Sequence, residues 1–97
     1  MNSLYILYSL SIDRYYVGIT TTSVDDRLKK HNDGSYGTHY TSSAKDWIIK
    51  LSITCDSNAE SRKLELYIKR MKSKVFIKKL IDNEKEVEIL KQKVLGS

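Results

Sequence analysis

The chain has no proline, one cysteine, four glycines and no long hydrophobic run. The lone Cys55 cannot form an internal disulfide, which points to a reducing compartment and makes a cytoplasmic protein the expectation. The first apolar patch, Leu4 to Leu10, is interrupted by Tyr8 and Ser9 and preceded by no lysine or arginine. It makes a poor secretory signal and is too short to span a membrane, so no membrane partner is expected. Internal repeats and linker-like segments are also missing, leaving one small domain of 97 residues. Such a chain builds a small core, and a functional site is expected on the open side of a single small sheet.

Acidic residues are scarce in one region. Lysine and arginine number 17 against 12 aspartates and glutamates, a net charge of +5. Between Arg62 and Lys79 eight basic residues face one acid, Glu65. A solvated helix face is the ordinary explanation for such a run, and a polyanionic partner is the functional one.

"SLYILYSLSIDRYYVGIT" reads as two strands, rich in tyrosine and β-branched residues, joined through "SIDR" as a hairpin. "TTSVDDRLKKHNDGS" has Ser23 and Asp26 in a capping-box spacing and predicts a helix of about ten residues, ended by Asn32 and Gly34. Val24 and Leu28 face its core, and Arg27 and His31 lie four apart on one face. "NDGSYGTHYTSSAKD" has little hydrophobic periodicity and reads as an exposed loop. "WIIKLSITC" reads as a third strand whose alternating Trp47, Ile49, Leu51, Ile53 and Cys55 form one buried face. Ser57 and Glu60 repeat the capping spacing and open a second helix with Leu64, Ile68, Met71 and Val75 as its apolar stripe. Helical character continues through "FIKKLI", and the charged tail carries Val87, Leu90 and Val94 at helical spacing, a final helix expected to fray.

Taken in order, "LYI" at Leu4–Ile6, "YVG" at Tyr16–Gly18, "RLKKH" at Arg27–His31, "GTHYT" at Gly37–Thr41 and "ELYIK" at Glu65–Lys69 resemble the motifs of the GIY-YIG nuclease superfamily, in particular its small single-domain members. The resemblance runs over roughly residues 3 to 80 and implies an α+β fold: a small three-stranded, mainly antiparallel sheet flanked by helices. A nuclease domain over residues 1–82 and a charged tail over 83–97 follow as the expected organisation. The helices are expected on one side of the sheet, with the two tyrosines, Arg27 and Glu65 on the other. Tyr5, Tyr16, Arg27 and Glu65 stand where the family places its catalytic residues, with Glu65 as the metal ligand, and His39 stands in the loop where some members place a catalytic histidine and small single-domain members more often a lysine. Ser3 and Leu4 replace the glycine and isoleucine of the first motif. That departure keeps a second reading open, a catalytically inactive nucleic-acid-binding module of the same fold.

The residue types suit that chemistry. Phosphodiester hydrolysis needs an activated water, a cation for the transition state and a neutraliser for the leaving oxyanion. One carboxylate is enough to recruit Mg²⁺ or Mn²⁺, because such a cation keeps waters and takes phosphate oxygens as further ligands. Arg27 can clamp a phosphate with its planar fork. A phenol with a pKa of about 10 is a weak base at neutral pH and needs help from the metal, Arg27 or His39. Gly18, which weakens its strand, is expected to let a DNA backbone approach the sheet. His31, Tyr40, Lys69, Arg70, Lys72 and Lys74 are the remaining candidate DNA contacts. One set of such residues implies one nicked strand per site, from a monomer or weak homodimer.

Each residue also has an ordinary structural role open to it. Tyr5 and Tyr16 can be cross-strand partners, Glu65 can pair with Lys69, Arg27 with Asp26, and His31 can sit at a helix end near its dipole.

Overall fold

A computed structural model describes residues 2–33 and 44–96. The expected α+β fold is present. Strands β1 (Asn2–Ser9), β2 (Arg14–Thr20) and β3 (Ile48–Cys55) form an antiparallel sheet in the order β2-β1-β3. The helices are α1 (Val24–Asp33), α2 (Asn58–Met71), α3 (Lys74–Asp82) and α4 (Glu84–Lys91), and a π-helical turn, Gln92–Gly96, follows α4.

The helices cover both faces of the sheet, not one. β1 is the reason: Leu4 and Ile6 are fully buried on one face and Tyr5 and Leu7 on the other, so neither face can be left to water. Burial of each such side chain contributes about 1.5–3 kcal/mol. Leu64 and Ile68 of α2, Leu80 of α3 and Leu90 of α4 join Leu4, Ile6, Val17 and Ile53 in the larger core. Val24 and Leu28 of α1 pack with Tyr5, Leu7, Tyr16, Ile49 and Trp47 on the opposite face.

Two expectations about periodicity are corrected. In β3, Ile6 pairs with Leu51 but Leu7 pairs with Ile49, so Lys50 is an extra residue forming a bulge. A bulge exchanges the two faces beyond it. Leu51, Ile53 and Cys55 therefore reach the larger core, whereas Ile49 and Trp47 turn to the tyrosine face. The long apolar stripe of α2 is also cut short. Lys72 adopts a left-handed conformation (φ 48°, ψ 41°), its N–H bonds to the Lys69 carbonyl, and Ser73 then caps α3 by accepting from the Phe76 N–H. Met71 and Val75, placed in the stripe by spacing, are accordingly 45% and 69% exposed.

Local signals elsewhere act as written. Ser23 accepts from the Asp25 N–H at the start of α1. Ser57 accepts from the Glu60 N–H while the Glu60 carboxylate reaches back to the Asp56 N–H, closing both ends of the cap at α2.

Candidate active site

Register places the aromatic residues. Tyr5 on central β1 lies opposite Gly18 on edge strand β2, and Tyr16, two residues before Gly18, shares its face. The Tyr5 phenol crosses directly over Gly18: a Cβ there would sit 2.6 Å from the Tyr5 Oη and 2.9 Å from Cε2 of Tyr16. The space above Gly18, expected to admit a DNA backbone, is thus occupied by the chain's own phenols. Tyr5 and Tyr16 are diagonal rather than direct cross-strand neighbours, with ring centroids 6.3 Å apart.

α1 completes the cluster from above. His31 follows Val24 and Leu28 at the i, i+4, i+7 spacing of a buried stripe and is only 3% exposed. Its Nε2 is 3.0 Å from the Tyr5 Oη, and its ring centroid is 4.7 Å from that of Tyr16. Burial, aided by the Arg27 cation one turn earlier, pushes the imidazole pKa down to about 4. His31 is therefore neutral at ordinary pH and resists protonation, and its contact with Tyr5 is a hydrogen bond between neutral groups. Arg27 is half-buried and anchored through its Nε, which donates to Thr20 Oγ1 at 3.1 Å, rather than paired through the Asp26 contact considered above. Asn32 clamps the backbone of Trp47, accepting from its N–H at 2.7 Å and donating to its carbonyl at 3.0 Å. Trp47 in turn meets the Tyr16 ring edge-on at 6.5 Å.

Neutral His31 makes stability pH-dependent, and the sign follows from its depressed pKa. The unfolded chain, with an ordinary histidine, binds one more proton than the folded chain between about pH 6.5 and about 4. The stabilisation is complete above that window and is lost as pH falls through it, by at most about 1.4 kcal/mol per pH unit. Thermal midpoints of the wild type and His31→Gln, compared from pH 7.5 to 5, should converge as the pH drops. Parallel curves would show that His31 titrates normally.

Glu65 comes from α2, whose Leu64 and Ile68 pack on the other face of the sheet, and is 9% exposed. Its carboxylate pairs with the Lys69 ammonium at 3.2 Å, as the i, i+4 spacing allows. The same ammonium lies 5.7 Å from the Tyr16 ring centroid. Glu65 thus meets the phenol cluster around the edge of β2, through Lys69, and not across a single open face. A cleft of about 590 Å³ runs along this edge between β2, α2 and α3, lined by Tyr16, Lys69, Lys72 and Lys74 among others. Arg70 is exposed and is not part of its lining. His39 and Tyr40 lie outside the described residues.

The donor set fits one hard divalent cation. Among the described residues no three histidine, cysteine or acidic side chains cluster, and Glu65 is linked to Tyr16 through the Lys69 ammonium. Lys69 shows that this carboxylate already holds a positive charge next to Tyr16. A cation that retains water and accepts phosphate oxygens suits such a sparse site.

No sequence pattern marks Thr20, Asn32 or Trp47 as site residues, and His31, expected among the DNA contacts, is buried against Tyr5. The stripe shared with Val24 and Leu28 was the available signal for His31. Comparison with known families matches residues 1–81 to the GIY-YIG catalytic domain. No curated protein and no solved structure is significantly similar to the chain.

Proposed function

Since the chain belongs to the GIY-YIG catalytic-domain family, a nuclease family, over 81 of its 97 residues, we propose that it is a divalent-metal-dependent DNA endonuclease that nicks one strand per site. The observation that carries this reading is the Tyr5–His31–Tyr16 cluster with Arg27 on one side and the Glu65–Lys69 pair on the other.

Tyr16 is the phenol suited to meet an attacking water. It is half-buried and lines the open cleft, whereas Tyr5 is 2% exposed and engaged with His31. The Lys69 ammonium, held by Glu65, lies 5.7 Å from the Tyr16 ring centroid and so ties this phenol to the acidic side of the site. The neutral His31 imidazole packs against the same ring and meets the Tyr5 hydroxyl, so it holds the two phenols in register. Arg27, held through Nε by Thr20 on the strand that carries Tyr16, is the cation suited to stabilise charge building on a phosphoryl oxygen. Glu65 would hold Mg²⁺ or Mn²⁺, which when bound supplies Lewis-acid stabilisation of the phosphoryl and leaving oxygens.

Supercoiled plasmid incubated with the protein and Mg²⁺ should convert to the open-circular form before any linear product accumulates, and EDTA should stop the reaction. DNA retarded on a gel yet intact in Mg²⁺ and in Mn²⁺ would favour the inactive binding module instead.

A further inference from the structure

The cleft at the edge of β2 differs in character from a surface that only meets phosphates. Its floor is apolar and partly aromatic, made by Tyr15, Val17, Ile68 and Ile77. Its rim is cationic, made by Arg14, Lys69, Lys72 and Lys74. Lys69 and Lys74 are paired with Glu65 and Asp13, while Arg14 and Lys72 form no ion pair among the described residues. The N-terminus of α3 also opens onto the cleft at Ser73 and Lys74, and its first turn carries no acid to offset the positive end of the helix. Tyr16 stands at the junction between the cleft and the phenol cluster.

Duplex DNA presents phosphates to a protein surface, and its base faces are stacked out of reach. It would satisfy the rim and leave the floor bare. An unpaired strand satisfies both, because a splayed base lays its π-face on aromatic and aliphatic side chains while its phosphates meet the cations. At about 590 Å³ the cleft falls in the size range of small-ligand sites, roughly 300–1,000 Å³, and so holds one nucleotide rather than a helix.

We propose that this cleft is a subsite for an unpaired nucleotide next to the cleaved phosphodiester, so that the preferred substrate is single-stranded DNA or the unpaired part of a branched one. The proposal rests on the nuclease reading for the identity of the neighbouring site, but binding tests it separately from cleavage.

The full-length protein, in EDTA and low salt, is titrated into three fluorescein-labelled 20-nucleotide probes: oligo-dT, a duplex, and an abasic strand with the same phosphates. Oligo-dT should bind at least about tenfold tighter than either of the others, the scale of one stacked base. Tyr15→Leu, which keeps the apolar packing but removes the ring, should erase most of the advantage over the abasic strand. Arg14→Gln and Lys72→Gln, both on the exposed rim, should each lower the salt slope by about 0.7. Equal affinity for duplex and oligo-dT, or for abasic strand and oligo-dT, overturns the subsite, as does an unchanged salt slope in both rim variants. Plasmid nicking without single-strand preference would refute this inference and leave the nuclease reading intact. Tight oligo-dT binding without cleavage of any DNA would do the reverse.

Discussion

Tyr16→Phe is expected to lower the single-turnover rate of strand cleavage by about 10²–10⁴-fold, the range for loss of a proton-transfer group. The ring contacts with Tyr5, His31 and Trp47 survive in phenylalanine, so the fold should change little. Tyr5→Phe provides the contrast. Its hydroxyl meets His31 Nε2 inside the protein, and removing one partner of a buried hydrogen bond costs about 1–3 kcal/mol. Tyr5→Phe should therefore lower the thermal midpoint clearly, with a smaller kinetic effect than Tyr16→Phe. Thermal melts and single-turnover rates on both variants separate the two roles. A Tyr16→Phe protein cutting at the wild-type rate would remove Tyr16 from the chemistry.

Much of this cluster could be read from residue order. The strand pair, the first helix and its Arg27–His31 spacing, and the cap at Ser57 are all local patterns, and local hydrogen bonds realise them as written. What could not be read depends on relations between distant segments. Nothing in "WIIKLSITC" announces that Lys50 will bulge, because a bulge is a property of pairing with β1 rather than of β3 alone. That one residue decides that Trp47 supports Tyr16 instead of joining the larger core.

The break at Lys72 has a similar origin. A lysine carries no signal for left-handed backbone, and the Ser73 cap is visible only when the apolar stripe is not assumed to continue through Val75. The placement of His31 was missed for another reason. Its spacing from Val24 and Leu28 marks it as buried, but its partner Tyr5 lies 26 residues away, and only the sheet brings the two together. The four segments expected to share one open face do not do so. α1 and α2 pack on opposite faces because the apolar central strand demands cover on both sides, and Lys69 links Glu65 to the Tyr16 ring.

Gly18→Ala tests that geometry most directly. Alanine suits a strand better than glycine and brings its own gain in backbone entropy. If Gly18 served only to let DNA approach, the variant would be at least as stable as the wild type and would lose only affinity. The structure demands the opposite result. A Cβ at position 18 would lie 2.6 and 2.7 Å from the Tyr5 Oη and Cζ and 2.9 Å from the Tyr16 ring, well inside van der Waals contact. Tyr5 is enclosed, with Leu7 and Trp47 fully buried in the same cluster, and cannot simply swing aside. Overpacking of this kind costs about 1–3 kcal/mol. The phenol must also leave its 3.0 Å contact with His31, and displacement of a catalytic cluster by about 1 Å is enough to cost about 10²-fold in rate. Gly18→Ala should thus melt earlier and cleave at least about 100-fold more slowly. An alanine variant with wild-type stability and rate would mean that the Tyr5 phenol does not rest on the backbone of β2.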